Sequence, residues 1–98
     1  MALRIRLTAR ATRDLEEIRA YLLERNPQGA DNVRADIDRT IETLSEFPGI
    51  GRDSDLPEVR IIATARYPYL VYHQVGDDEL VVVHVRDGRR DAPKPREL

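Results

Sequence analysis

An α+β fold is predicted: a helical hairpin packed on a mostly antiparallel four-stranded sheet, in the order β-α-α-β-β-β. Three observations predict it. A short run of alternating apolar and basic residues opens the chain. Two apolar stripes at helical spacing come next, separated only by Asn26-Pro27. The second half is rich in β-branched and aromatic residues, cut by turn signals.

Each element has a local cause. Leu3-Arg4-Ile5-Arg6-Leu7 alternates with period two, the pattern of a half-buried strand. Thr8 is a competent N-cap for the first helix, in which Ala11, Leu15, Ile18 and Leu22 recur at three and four residues and define one face. Asp14, Glu16 and Glu17 are expected to favour the positive end of that helix, and Arg25 its negative end. Asn26-Pro27 ends the helix and starts another, because Asn caps well and Pro at the first helical position has no N–H to lose. Ala30, Val33, Ile37, Ile41 and Leu44 form the second stripe, with Phe47 prolonging it, and Asp31, Asp36, Asp38, Glu42 and Glu46 read as a solvated face. Pro48-Gly49-Ile50-Gly51 stops this helix. Strands are expected over 59–66, 69–75 and 80–86, with Gly76-Asp77-Asp78 as the last tight turn. Residues 1–90 are expected to form one domain, and 91–98, with Pro93 and Pro95, a polar tail that frays.

Composition narrows the function. The 98 residues include no cysteine, which removes disulfides and thiolate zinc sites. Apolar runs are too short to cross a membrane and no charged-then-apolar leader is visible, so a soluble, cytoplasmic protein without a membrane role is expected. Net charge is −2 and unevenly spread. Residues 1–25 hold six Arg against four acids, 26–58 three Arg against eight acids, and 59–98 seven Lys/Arg against six acids. Direct sequence-specific DNA binding usually rests on a net basic domain, and is not expected here.

The ordered motifs resemble the RelE/ParE superfamily, the toxins of bacterial type II toxin–antitoxin systems, over most of the chain from Leu3 to about Arg90. Thr8-Ala9-Arg10-Ala11 leads into Asp14-Leu15-Glu16-Glu17-Ile18 and Tyr21, similar to the family's "DL…I…Y" helix. Leu44-Ser45-Glu46-Phe47-Pro48-Gly49-Ile50-Gly51-Arg52 is similar to its "L…P..G" exit. Val59-Arg60 with Tyr67-Pro68-Tyr69-Leu70-Val71-Tyr72 looks like its "VR…YP..I.Y" strands, and His84-Val85-Arg86-Asp87 with Arg89 and Arg90 like its closing "H.R…R" segment. No one motif is specific; their order is. The resemblance implies a cognate antitoxin as partner, a role in plasmid stabilisation, and one of two targets. RelE-like members cut messenger RNA on the ribosome. ParE-like members block DNA gyrase without nuclease chemistry.

The residues favour the ParE-like branch. Cleavage through a 2′-hydroxyl needs a base, a neutraliser of phosphorane charge and an acid for the leaving oxygen. The lone lysine is Lys94, and no Tyr or His follows Arg90. Arg60, Arg66 and Arg86 can clamp phosphate, but arginine stays protonated and makes a poor base. In the ribonuclease alternative His84 would move protons beside Arg60, Arg66 and Arg86. It reads more simply as a half-buried strand residue with a hydrogen-bonded ring. Arg86, Arg89 and Arg90 are candidates for gripping a target, Arg89-Arg90 also reading as solvated charge. His73 and His84 could meet across neighbouring strands, but two ligands make a weak site, and neither metal nor cofactor is expected. Tyr67, Tyr69 and Tyr72 could stack bases, though strand aromatics more often pack a core. A third reading is a degenerate, non-toxic partner of a DNA-binding antitoxin.

Overall fold

The computed structural model describes residues 2–89; Arg90, Lys94 and the tail expected over 91–98 lie outside the described residues. The chain runs β1 (Arg4–Leu7), α1 (Ala9–Arg25), α2 (Pro27–Glu46), β2 (Arg52–Asp53), β3 (Arg60–Ala63), β4 (Tyr69–Val75) and β5 (Glu79–Asp87). The sheet order is β1-β5-β4-β3-β2, with β1 parallel to β5 and every other pair antiparallel. The helices pack on one face of the mixed sheet, the α+β arrangement that the patterning predicts.

The helix boundaries follow from their caps. Thr8 Oγ1 accepts from the Ala11 amide at 3.1 Å and so starts α1. Asn26 serves both helices: its own N–H reaches Leu22 O at 2.6 Å, and its side-chain oxygen accepts from Gly29 N at 3.0 Å. A single residue between the helices forces them into a hairpin. Ala11 and Leu15 of α1 meet Val33, Ile37, Ile41 and Leu44 of α2 over Tyr69, Val71, Leu80, Val82 and Val85 of the sheet. A smaller cluster, Val59, Ile61 and Tyr72 with Leu56, Leu70 and Val83 against it, lies on the other face.

Five details depart from the sequence expectation. The sheet has five strands, because β2 pairs with β3 at its edge through Arg52–Ile61 and Asp53–Arg60. Gly51 makes this approach feasible: its φ is +101°, and a Cβ there would stand 2.8 Å from Ile61 O. Strand β3 ends at Ala63 rather than at 66, since Asp36 of α2 takes the amides of Arg66 (2.9 Å) and Tyr67 (3.2 Å). Asp36 is therefore 1 % exposed and not part of a solvated face. Burial works to raise its pKa, but these two amides lead the contacts that hold it below the usual value. Phe47 does not prolong the stripe; it is the C-cap of α2, with φ −128° and ψ 68°, and this turn leaves its ring 60 % exposed. Asp14 does not serve the helix dipole, because α1 begins at Ala9 and its first turn holds no acid.

Arg4 and Arg6 on β1 are exposed and engaged at the edge, Arg4 with Asp78 at 2.8 Å and Arg6 with Glu79 at 3.2 Å. The turn between β4 and β5 closes as expected, with Gly76 N donating to Glu79 O at 2.8 Å.

Two substitutions separate core from cap. Ile37→Asp, at a position 1 % exposed, should cost about 3 kcal/mol or more by burying an unpaired charge. Phe47→Ser should cost no more than about 0.5 kcal/mol. Urea unfolding of both variants checks the pair, and equal costs would place the helix stripe wrongly.

Candidate functional site

Strand register decides which candidates can work together. Ile61 pairs with Tyr72 and Tyr72 with His84, while Leu70 pairs with Arg86. Paired residues share a face and alternate residues repeat it. Tyr72, His84 and Arg86 therefore stand together on the face away from the helices. Arg60 pairs with His73 and Val71 with Val85, on the helix-packed face. A register shift between Tyr72 and His73, opposite Val83, makes this division possible. His73 and His84 consequently lie on opposite faces and form no metal pair.

From the edge of β5 beside α1 onto the far face, the side chains form a continuous chain of contacts. Arg10 Nε donates to Asp14 Oδ1 at 2.9 Å. Asp14 Oδ2 accepts from Val85 N at 3.1 Å and lies 2.6 Å from His84 Nδ1. The His84 ring meets Tyr72 edge to face, with centroids 5.2 Å apart. Tyr72 Oη accepts from Arg86 Nε at 2.9 Å, and Arg86 Nη1 donates to Asp87 O at 3.3 Å. Asp14, Tyr72 and His84 are buried and Arg86 is half-buried.

The electrostatics match this geometry. Burial pushes the Asp14 carboxyl up, but hydrogen bonds from His84, Val85 and Arg10 hold it below the usual carboxylate range. His73, on the other face, is fully buried. Desolvation pushes its pKa down and keeps it neutral, against the Val71 and Ile50 carbonyls that favour charge. Its Nε2 and the buried Nε of Arg60 have no hydrogen-bond partner among the described residues.

The other predicted cations are dispersed. Arg60 is held by Asp53 at 2.9 Å and by Gly51 O at 2.6 Å. Arg66 is exposed in the β3–β4 loop, where its amide is engaged by Asp36. Arg89 grips Asp87 through Nε (3.0 Å) and Nη2 (2.7 Å), and this carboxylate raises its pKa further. Arg60, Arg66 and His84 thus share no site, whereas His84 and Arg86 do. Tyr69 and Tyr72 are buried in the two clusters, and Tyr67 packs on the larger one.

Sequence reasoning missed Asp14 as the partner of His84. The signal was present: Asp14 stands three residues after Ala11 and four before Ile18, at the rim of the apolar stripe. An acid there faces the sheet. Among the described residues no group of three or more His, Cys, Asp or Glu is placed to hold a metal ion.

Comparison with known proteins places the chain in a family. Residues 5–92 match the model of the ParE toxin of type II toxin–antitoxin systems, parDE. Protein Y4kP of Sinorhizobium fredii, curated as a candidate toxin, is 36 % identical over 83 residues, which is 83 % of this chain and 86 % of that protein. Among solved structures, one from a chromosomal ParDE toxin–antitoxin system of P. aeruginosa superposes with a TM-score of 0.78 at 24 % identity, covering 88 % of this chain and 96 % of that one. A chain of the RelBE2 toxin–antitoxin complex of Mycobacterium tuberculosis gives 0.59 at 18 % identity, covering 89 % and 99 %.

The pH dependence of Asp14 is testable. Its folded pKa lies below the unfolded value of 3.8, so the stability it adds is present above 3.8 and lost as pH falls through the folded pKa. Asp14→Asn should cost about 2–4 kcal/mol at pH 7. The gap to the parent should narrow only below about pH 4 in urea titrations. A gap that closes already at pH 5–6 would mean that the carboxylate is not held in this way.

Proposed function

This chain belongs to the ParE toxin family of type II toxin–antitoxin systems, and from that premise we propose that it acts in the cytoplasm by binding DNA gyrase and is neutralised by a cognate antitoxin. The family match and the solved relatives, which come from toxin–antitoxin systems, support the antitoxin as partner. No described helix is long and apolar enough to cross a membrane.

One observation carries the choice of binding over RNA cleavage. His84, the imidazole that the ribonuclease alternative would use, is 4 % exposed. Arg60 and Arg66, its proposed companions in a ribonuclease, stand elsewhere. A general acid or base must reach the proton it transfers, and a ring at this depth offers little approach. What the far face presents is the half-buried guanidinium of Arg86; this residue, with Arg89 and Arg90, makes up the proposed target contacts. Such groups recognise carboxylates and phosphates without themselves changing protonation.

Induced expression in a bacterium lacking the antitoxin, with separate labelling of new DNA and new protein, tests the reading. DNA synthesis should fail first, with a damage response, while translation continues. Prompt translational arrest with cleaved messages would replace it with a RelE-like ribosome-dependent ribonuclease that acts on messenger RNA. A folded protein with no growth defect would leave the degenerate partner of a DNA-binding antitoxin.

A further inference from the structure

We propose that Tyr72 is a positioning residue whose hydroxyl fixes the Arg86 guanidinium for the target, with the His84–Asp14 pair setting the tyrosine in turn. The inference rests on the target-binding reading of Arg86 and deepens it.

Tyr72 is 3 % exposed, and its ring is enclosed by the Val59–Ile61 cluster. A tyrosine that only filled this space could be phenylalanine. Its hydroxyl instead accepts from Arg86 Nε at 2.9 Å, and the guanidinium carbon lies 5.7 Å from the ring centroid. The bond is to Nε, the donor nearest the arginine stem. It therefore fixes the plane of the fork, and with it the direction of the terminal nitrogens that would meet an anionic oxygen pair. The second face of the tyrosine is set by His84, edge to face at 5.2 Å, and that ring is anchored by Asp14 at 2.6 Å. Asp14 belongs to α1, Tyr72 to β4 and Arg86 to β5. Three elements thus determine one guanidinium. An arginine ordered before contact loses less side-chain freedom on binding, and a shift of its fork is felt in affinity.

The structure also separates this role from simple packing. Tyr72→Phe keeps the ring, the small cluster and the contact with His84, and removes only the acceptor of Arg86 Nε. An effect of that variant that depends on Arg86 is an effect on Arg86.

The test is a double-mutant cycle on purified gyrase and relaxed plasmid, reading the toxin concentration that halves ATP-dependent supercoiling. Tyr72→Phe should raise it about ten-fold and Arg86→Gln about a hundred-fold, with the double variant no worse than Arg86→Gln. An NMR spectrum should show the Arg86 Nε–H as a slowly exchanging signal in the parent and not in Tyr72→Phe, which also reports whether the variant is folded. Parent-like potency of Tyr72→Phe, additive effects in the cycle, or parent-like potency of Arg86→Gln would each overturn the proposal. A parent toxin that leaves gyrase untouched would instead remove the gyrase reading. The same cycle scored on growth inhibition in cells would then decide the role of Tyr72.

Discussion

Strand β5 is interior to the sheet, yet for half its length no strand lies on one side of it. Strand β4 runs beside it throughout, whereas β1 covers only Glu79 to Val82. Beyond Val82 the backbone groups on that edge need partners from elsewhere, since a buried amide left unpaired costs about 1–3 kcal/mol. The start of α1 supplies them. Thr8 N donates to Val82 O, Thr8 Oγ1 donates to Val83 O, and Asp14 accepts from Val85 N. One threonine therefore ends the first strand, caps the helix and closes the sheet edge. A carboxylate in this place must itself be satisfied, and Arg10 and His84 complete its coordination. The placement of α1 on the sheet, the burial of His84 and the setting of Tyr72 follow from that requirement.

Asp36 solves the same kind of problem on the second helix. The β3–β4 loop turns inward near α2, and its amides at Arg66 and Tyr67 find the Asp36 carboxylate. Both helices thus carry one acid that faces the sheet and several that face water. Periodicity made the helices, the hairpin and the long strands legible, because Ala11–Leu15 and Ala30–Leu44 repeat at spacings only a helix brings to one face. It did not separate the two kinds of acid. Composition treats Asp14 like Glu16, and Asp36 like Asp38; only their offset from the apolar stripe distinguishes them. Strand β2 was hidden for another reason. Two residues carry no period, and their pairing depends on Gly51 adopting a positive φ. The site was half legible: alternation along one strand brings His84 and Arg86 to one face, whereas Tyr72 read as core packing or base stacking, and its hydroxyl contact, which spans two strands, was hidden.

The charge balance bears on how such a surface can recognise anything. At a net charge of −2, long-range attraction toward an acidic or polyanionic target is weak, so recognition must be won at contact. Contact recognition by arginine depends on orientation, because the fork forms two parallel hydrogen bonds only when its plane matches the acceptor. On the proposed reading, the buried acid–imidazole–phenol series is the means by which a weakly charged chain presents a well-directed cation. On that reading, the burial that hinders approach to His84 also lets it hold Tyr72 in place. Buried polar groups of this kind are costly unless they are satisfied, and the hydrogen bonds that hold Asp14, the His84 Nδ1 edge and the Tyr72 hydroxyl here are what a fixed binding geometry requires.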